Sequence, residues 1–301
     1  MANKHVLILG GDLRQYYMAK FLIQENFAIS YFGNLFEKNE ANIHKIQSVE
    51  KLKEDLTQKK YAAAILPMPV GEPFIKGTDG SVACEELSEW LKAQKNMVVF
   101  GGRLEKNFVE KVQKGGNCVS DFLQEESVAI FNAGLTAENA VIEAILISDN
   151  CVRNEKTLIV GYGRCGRMLA DLLHGMKANV TVAEPDKEKS ALAISYGYKV
   201  ELLKDLSPYQ FVFQTAPVEN VLSDKLLSTC LKNERSMETT VLDITSIDNS
   251  VNYEYARKHN ILVRKCNALP GKYTARSAGK LLAEFITESL KKNEKEEGVE
   301  V

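Results

Sequence analysis

A glycine-rich turn in the middle of the chain constrains its fold more than any other feature. The turn has the spacing Gly161-x-Gly163-x-x-Gly166 and lies between an apolar run and an amphipathic helical pattern. In such a turn the first glycine permits the tight bend, the second lets a pyrophosphate approach the backbone, and the third lets the helix pack closely on its strand. The next apolar run ends at Glu184, where an acid is expected on ribose hydroxyls. The pattern predicts a dinucleotide site, because the alternative, a doubly wound fold without a ligand, leaves Glu184 unexplained.

Composition limits the class of protein. The chain has 301 residues, of which 45% are hydrophobic and 26% charged, enough for two modest cores of an ordinary globular protein. Its 38 Lys and Arg residues against 40 Asp and Glu residues give a formal net charge of -2. Without an overall basic field, we expect no nucleic acid and no anionic membrane as a partner. We find no run of roughly 18 apolar residues that would span a membrane, and no secretory signal pattern.

The six cysteines are scattered and contain no Cys-x-x-Cys pair. Because secreted domains carry regular disulfide frameworks, this use of cysteine favours a reduced, cytoplasmic protein. Cys165 lies within the glycine turn at a predicted helix N-terminus, a position that favours a lowered thiol pKa and so a redox role. We prefer the alternative, in which Cys165 is a small residue that serves packing.

Alternating strand and helix patterns run along the whole chain. This alternation predicts two Rossmann-like doubly wound α/β domains with a cleft between them. We place a substrate-side domain at residues 1–135 plus 273–293, and an NAD(P)-binding domain at residues 136–272. The C-terminal helix is expected to return to the N-terminal domain, because Ala278 and Gly279 allow a close helix contact.

Local patterns predict the junction of the two domains. A short strand is expected at 128–131, where it would close the first sheet. Thr136 then opens an apolar helical run with Glu138 in its first turn. We expect a helix N-cap at Thr136, since both residues suit the unpaired N–H groups and the dipole of a helix start.

A second glycine turn, Gly10-Gly11-Asp12, follows the first strand and lacks the third spaced glycine of a dinucleotide turn. It places Asp12, Arg14 and Gln15 at the carboxyl end of a strand, where open α/β sheets bind ligands. Arg14 is suited to a two-pronged bond with a carboxylate. The alternative is a capped helix start, with Asp12 as the cap and Arg14 in solvent. Both interpretations stay open.

Further candidates follow the later strands of the second domain. Polar loops come after Gln214 and Leu242, at the sheet edge where a nicotinamide ring would lie, although turn formers after buried strands look the same. A third junction, from residue 269 on, offers helix N–H groups to an anion, with Arg276 nearby. The predicted cofactor contacts are Gly161, Gly163, Arg164, Cys165, Gly166, Glu184, Thr215, Ala216, Pro217, Asp243, Leu269, Pro270 and Gly271.

The sequence assigns no catalytic acid or base. A hydroxy-acid dehydrogenase usually needs a histidine beside the nicotinamide, and none of His5, His44, His174 and His259 is well placed. No cluster of His, Cys and carboxylates has metal-ligand spacing, and no nucleophile elbow appears. We therefore predict neither a metal site nor a hydrolase.

Taken in order, these motifs resemble the family of A subunits of bacterial dipicolinate synthase, which makes the pyridine dicarboxylate of spores. The resemblance spans nearly the full length. It rests on Gly10-Gly11-Asp12-x-Arg14-Gln15, Ile65-Leu66-Pro67, Ala129-Ile130-Phe131-Asn132, Thr136-Ala137-Glu138, the Gly161 turn, and Leu269-Pro270-Gly271 with Ala278-Gly279. It implies an NAD(P)-dependent oxidoreductase of sporulation that forms dipicolinate from dihydrodipicolinate or its hydroxy-tetrahydro precursor. It also implies a flavoprotein-like second subunit, and we expect a homo-oligomer.

The implied reaction guides the choice of substrate residues. Aromatising a cyclic dihydro dicarboxylate removes a hydride and a proton, and the aromatic product supplies driving force. A strong base is then less necessary than binding of the two carboxylates. The residues predicted to bind the substrate are Asp12, Arg14, Gln15, Thr136, Glu138 and Arg276, with Arg164 as a further cation.

The chain departs from the family at two places. The family typically has a basic residue, suited to the 2′-phosphate of NADP, where this chain has Glu184. A carboxylate repels that phosphate, so we predict NAD rather than NADP. The family also usually has a Pro-Gly-Gly turn where this chain has Thr245–Ser250. The alternatives are therefore a non-catalytic NAD-binding paralogue, or a dehydrogenase of hydroxy or amino acids.

Overall fold

A computed structural model describes residues 5–36, 42–70, 73–232 and 239–297. Contacts within the chain divide it into two compact units. Unit 1 contains the residues up to Ala129 and those from Thr274 onward, and unit 2 contains Ile130–Tyr273. The predicted boundaries, after residues 135 and 272, lie close to these.

Unit 1 is built on a parallel sheet. Its elements in chain order are β1 (His5–Leu9), α1 (Leu13–Gln24), β2 (Ala28–Phe32), β3 (Ile43–Ile46), α2 (Val49–Gln58), β4 (Ala63–Ile65), β5 (Phe74–Lys76), β6 (Ser81–Ala83), α3 (Cys84–Ala93), β7 (Val98–Gly101), α4 (Lys106–Gln113) and β8 (Cys118–Asp121). Six strands pair in parallel in the order β3-β2-β1-β4-β7-β8, while β5 and β6 form an antiparallel hairpin. The strand order reverses between β1 and β4, which is where a doubly wound sheet offers its ligand crevice.

A long helix, α5 (Glu126–Ser148), leads into unit 2. The elements that follow are β9 (Lys156–Val160), α6 (Arg164–Gly175), β10 (Asn179–Ala183), α7 (Lys187–Ser195), β11 (Lys199–Glu201), β12 (Phe211–Gln214), α8 (Asp224–Leu227), β13 (Thr240–Asp243), α9 (Tyr253–Lys258), β14 (Val263–Lys265), α10 (Leu269–Tyr273) and α11 (Ala275–Glu297). The sheet of unit 2 is parallel in the order β11-β10-β9-β12-β13-β14, with the reversal between β9 and β12. The predicted fold class, two Rossmann-like doubly wound α/β units, is confirmed.

Both sheets are buried on their two faces, which explains why the strands are nearly continuous apolar runs. In β1, Val6 and Ile8 enter one core while Leu7 and Leu9 enter the core on the opposite face. The same alternation in β9 places Ile159 opposite to Leu158 and Val160. Successive side chains of a strand point to opposite faces, so each strand contributes to two cores.

The C-terminal helix α11 packs on α1 within unit 1, as predicted. An ideal Cβ atom built on Gly279 would lie 2.6 Å from the carbonyl oxygen of Arg14 and 2.8 Å from the amide nitrogen of Met18. The two backbones therefore approach more closely than any residue with a side chain would permit. Ala278, the neighbouring small residue, is also buried in this contact region.

The start of α5 differs from the prediction. The helix begins at Glu126, so the strand expected at 128–131 is wrong, and so is the N-cap at Thr136. The hydroxyl of Thr136 instead donates to the carbonyl oxygen of Asn132, one turn earlier in the same helix, at 2.8 Å. The buried positions in this stretch, Val128, Ala129, Ala133, Ala137, Ala140 and Ala144, follow the helical period from the outset. The sequence also failed to predict β3, α2, β11 and the β5–β6 hairpin, which are short or carry few apolar residues.

Among the described residues, α5 is long and apolar enough to cross a membrane by length and composition alone, with a mean hydropathy of 1.4 over its most apolar window. No such run was predicted from the sequence. Ala137, Ala140 and Ala144 of this helix are buried in a core that also contains Leu169 and Leu173 of α6. A core helix of a globular unit passes the same test of length and composition.

Candidate nucleotide-binding site

The three glycines of the central turn lie in different steric environments. Gly161 has a φ of 94°, in the left-handed region that favours glycine. A Cβ atom on Gly166 would lie 2.1 Å from the carbonyl oxygen of Gly161, so only glycine lets α6 pack this closely on the end of β9. Gly163 is exposed, and a Cβ atom there would meet nothing within 4 Å. Two glycines thus shape the turn, and the third leaves its outer side open.

The N-terminus of α6 carries no capping side chain. Its N-cap residue is Gly163, and no side-chain cap is formed to it in the described part of the chain. Helix α6 has 12 residues, and its first N–H groups lie next to an exposed glycine at the positive end of the helix dipole. Such an end is suited to the phosphates of a dinucleotide.

Glu184 follows the last residue of β10 and ties the glycine turn to its neighbouring strand. One carboxylate oxygen accepts the amide N–H of Tyr162 at 2.7 Å, and the other accepts that of Asp186 at 3.0 Å. The residue is 9% exposed. Because each carboxylate oxygen has room for a second donor, Glu184 can hold the turn and still accept a ribose hydroxyl.

Thr215 stabilises the opposite side of the turn. Its hydroxyl lies 2.9 Å from the carbonyl oxygen of Val160 and 3.1 Å from that of Gly161. A Cβ atom on Gly161 would lie 2.9 Å from this hydroxyl and 3.0 Å from the Cβ of Ala216. Thr215 and Ala216 are half-buried beside the turn and Pro217 is exposed, so these three predicted cofactor residues border the crevice between β9 and β12.

The glycine turn of unit 1 has the opposite character. Asp12 caps α1 by accepting the amide N–H of Arg14 at 2.9 Å, and Gln15 completes a capping box by accepting the amide N–H of Asp12 at 2.9 Å. A Cβ atom on Gly10 would lie 3.1 Å from Ile75, so the β5–β6 hairpin packs against this turn. A carboxylate therefore occupies the helix start of unit 1, where a phosphate would have to bind.

Arg14 makes its two-pronged bond within the chain. Its Nε and Nη2 atoms donate to the carboxylate of Asp12 at 2.9 and 2.7 Å, and the residue is 5% exposed. The capped helix start is thus confirmed for Asp12, but the expectation that Arg14 then lies in solvent is wrong. Since Asp12 already neutralises the guanidinium, Arg14 is a weaker partner for a substrate carboxylate than its charge suggests.

Gln15 is the other buried polar residue at this edge. Its Nε2 group is fully buried and has no hydrogen-bond partner among the described residues. An unpaired buried donor is costly, so it marks a position where a ligand or water oxygen would be stabilising.

The remaining predicted substrate residues lie apart in the chain. Arg276 is exposed on the first turn of α11, one turn before Gly279, and so lies at the Asp12 end of α1. Thr136 and Glu138 lie inside α5, where the N–H groups are already paired, so the helix-start argument for them is wrong. Arg164 is exposed at the start of α6.

Two predicted groups of cofactor residues are more buried than the sequence suggested. Asp243, at the end of β13, is fully buried. Its carboxylate accepts hydrogen bonds from Thr245, Ser250 and Lys265. Leu269, Pro270 and Gly271 are buried in α10, and the carbonyl oxygen of Leu269 accepts the amide of Asn139 at 3.1 Å. A direct contact of these residues with a cofactor stays a prediction.

Sequence reasoning missed Arg103, Tyr253 and Lys265. Arg103 is an exposed cation that follows β7, at the carboxyl edge of the sheet of unit 1, with a left-handed φ of 56°. The Gly101-Gly102-Arg103 turn after an apolar strand was a sequence signal for it. Tyr253 and Lys265 both donate side-chain hydrogen bonds to the carboxylate of Asp243. Spacing in the sequence does not predict such contacts.

The structure also bears on the two roles considered for Cys165. Burial raises the pKa of the Cys165 thiol, and nearby Arg164 only partly opposes this effect. This direction argues against the redox alternative and agrees with the preferred packing role. Within the described ranges, no group of three or more His, Cys, Asp or Glu side chains is arranged to hold a metal ion.

The two parallel sheets, together with an open glycine turn and an acid after the next strand, define a Rossmann-type α/β protein. One solved structure with this fold is the D-lactate dehydrogenase of Escherichia coli, with a TM-score of 0.60 at 10% identity, over 95% of this chain and 97% of that one. Residues 5–123 match the family described as the N-terminal domain of the dipicolinate synthase A subunit.

Similarity to the A subunit of dipicolinate synthase extends over the whole chain. The curated protein of that name from Bacillus subtilis is 23% identical over 305 residues, covering 97% of this chain and 98% of that protein. The crystal structure of its counterpart from Bacillus halodurans has a TM-score of 0.80 at 22% identity, over 96% and 98% of the two chains. The predicted resemblance to the A subunits of dipicolinate synthase is confirmed.

Proposed function

We propose that this protein is the NAD-dependent oxidoreductase component of a dipicolinate synthase in sporulation. In this role it oxidises dihydrodipicolinate, or its hydroxy-tetrahydro precursor, to dipicolinate. The observation that carries the proposal is the open N-terminus of α6 beside Glu184, in a chain similar to the A subunit of dipicolinate synthase over its full length. A homo-oligomer and a second, flavoprotein-like subunit belong to the same proposal.

The residues of unit 2 fit a bound NAD. The first N–H groups of α6 would hold the pyrophosphate, and Glu184 would accept a ribose hydroxyl of the adenosine half. Its negative charge would repel the additional phosphate of NADP. Thr215, Ala216 and Pro217 would border the path toward the nicotinamide end. When bound, NAD supplies the acceptor for a hydride.

The overall reaction balances without a metal or another oxidant. Dihydrodipicolinate and NAD give dipicolinate, NADH and a proton, and formation of the aromatic ring favours the products. The hydroxy-tetrahydro precursor first loses one water molecule to give dihydrodipicolinate. The protein's part is then to bind and orient a dicarboxylate. Arg276 and Arg103 are exposed cations of unit 1 suited to the two carboxylates, while the unpaired Nε2 group of Gln15 is suited to a substrate oxygen.

A coupled assay tests the proposed reaction. The purified protein, with and without a flavoprotein-like partner, is mixed with enzymatically generated precursor and with either NAD or NADP. We expect pyridine dicarboxylate absorbance and NADH to rise together, with NAD preferred.

The alternatives predict different results in the same assay. Nucleotide binding without product under any combination would identify a non-catalytic NAD-binding paralogue. Oxidation of simple hydroxy or amino acids in place of the dihydro dicarboxylate would identify another type of dehydrogenase. Either outcome rejects the proposed reaction while leaving the nucleotide site intact.

A further inference from the structure

The loop Thr245–Ser250 after β13 is organised around one buried carboxylate, that of Asp243. One oxygen of Asp243 accepts the amide N–H of Thr245 at 2.9 Å and its hydroxyl at 2.7 Å. The other oxygen accepts the hydroxyl of Ser250 at 2.7 Å, the ammonium group of Lys265 at 3.1 Å, and the hydroxyl of Tyr253. The Asp243 carboxylate therefore joins both ends of the loop to β14 and to the start of α9.

These bonds occupy the acceptor positions of Asp243 and argue against the contact with a cofactor that the sequence predicted. A carboxylate offers about four acceptor positions, and five donors within the chain already approach this one. Asp243 is 0% exposed. Burial alone would raise the pKa of Asp243, but the hydrogen bonds from Tyr253, Ser250 and Thr245 lower it, so the carboxylate stays ionised near neutral pH.

The same bonds fix the middle of the loop and its neighbour. Lys265 also donates to the carbonyl oxygen of Ile247, halfway along the loop. The loop after β12 is bonded to this loop as well. The amide N–H of Asn220 donates to the carbonyl oxygen of Asn249 at 2.7 Å, and that of Leu222 donates to the carbonyl oxygen of Ser250 at 3.0 Å. The loops that follow β12 and β13 are thus bonded into one wall at the carboxyl edge of the sheet.

We infer that Asp243 is a positioning residue, which with Tyr253 and Lys265 fixes this wall at the nicotinamide end of the NAD site without touching the cofactor. The inference rests on the proposed function. It assigns the contact with the cofactor to the exposed part of the wall, where Ser246 is the first exposed polar side chain after β13. Side-chain hydrogen bonds would then fix the conformation of the Thr245–Ser250 loop, whereas in a proline-glycine turn the backbone dihedral angles fix it.

The test compares NADH with ADP-ribose, which keeps the adenosine and pyrophosphate groups but lacks the nicotinamide ring. Tyr253→Phe removes one hydroxyl donor to Asp243, and Lys265→Met removes the cation. We expect Tyr253→Phe to weaken NADH binding by about tenfold, the effect of losing one hydrogen bond to a charged acceptor, with a larger loss for Lys265→Met. ADP-ribose affinity should stay within about twofold of wild type, because its contacts lie at α6 and Glu184.

The matched control is Tyr209→Phe. Tyr209 donates its hydroxyl to Glu201 at 2.9 Å, a bond of the same type at the end of β11 rather than in this loop. Hydrogen exchange of the 244–250 backbone should rise in Tyr253→Phe and stay at the wild-type rate in Tyr209→Phe. Thermal unfolding identifies any variant that fails to fold. If Lys265→Met fails to fold, Tyr253→Phe, which is the milder change, still tests the inference.

Three outcomes would overturn the inference. Wild-type affinity for both NADH and ADP-ribose in Tyr253→Phe would show that the wall does not serve the nicotinamide end. Equal weakening of both ligands would show a purely structural role for Asp243. A wild-type protein that binds neither ligand would reject the proposed function itself, and the inference with it, which distinguishes this result from the first two.

Discussion

At the scale of single residues, Glu184 combines two tasks that the sequence pattern does not separate. It was predicted as a partner of the ribose, and in the structure it already accepts two backbone N–H groups, one of them from the glycine turn. Changing this residue therefore affects both the shape of the turn and the charge beside the ribose. Glutamine is the most informative replacement, since it keeps an acceptor oxygen and removes the charge.

Glu184→Gln should shift the cofactor preference toward NADP. The NADPH to NADH affinity ratio is expected to rise by about tenfold, because a negative charge close to the 2′-phosphate position is removed in a largely buried environment. Fluorescence titration with each reduced cofactor measures the ratio. The control is Glu201→Gln at the end of the neighbouring strand β11, which should leave it unchanged. Equal ratios in wild type and both variants would show that Glu184 does not face the ribose.

At the scale of elements, the α1–α11 contact depends on one missing side chain. Gly279→Ala should destabilise unit 1 by about 1–3 kcal/mol, since the added methyl group meets backbone atoms of α1 that cannot yield without moving the helix. Thermal unfolding of the purified variant measures this. Gly175→Ala in α6 is the control: a Cβ atom there meets nothing within 4 Å, so alanine should be neutral or stabilising. A Gly279→Ala protein as stable as wild type would contradict the close contact.

The helices and strands differ in how well the sequence predicted them. In unit 2, hydrophobic periodicity and the glycine turn predicted β10 (as 180–183) and β12 (as 211–214) almost to the residue. They also located β9 and α6, although the predicted ranges, 158–160 and 168–173, were shorter than the observed ones. Buried parallel strands and glycine turns leave strong local signals. The same approach failed at α5, where a short β-prone stretch was interpreted as a strand although its burial follows a helical period. Residues near the start of a long helix are ambiguous when only a few are considered at a time.

The candidate site also contains features that local sequence patterns predict and contacts that they do not. Its glycine turn, Glu184 and the Asp12 cap follow from local spacing, so the sequence predicted them. The pairing of Arg14 with Asp12, and the contacts of Tyr253 and Lys265 with Asp243, depend on side-chain packing and tertiary approach. No periodicity encodes which of several nearby donors a buried carboxylate will collect.

Across the whole molecule, the two units share one fold but differ at the start of the helix that follows their first strand. The turn of unit 1 is closed by the carboxylate of Asp12, and the turn of unit 2 is left open at Gly163. Only the second should bind a dinucleotide. Under the proposed function, unit 2 binds the hydride acceptor and unit 1 supplies the substrate residues.

The most direct test is calorimetric titration of NADH into Gly163→Asp. A Cβ atom at this position meets nothing within 4 Å, and aspartate suits a helix N-cap, so the new carboxylate would close α6 in the way that Asp12 closes α1. We predict a folded protein whose NADH affinity is at least about hundredfold weaker, because a carboxylate replaces the pyrophosphate at the helix N–H groups. Asp12→Asn, which keeps the cap of unit 1, should bind NADH as wild type does. A folded Gly163→Asp protein with wild-type NADH affinity would contradict the account.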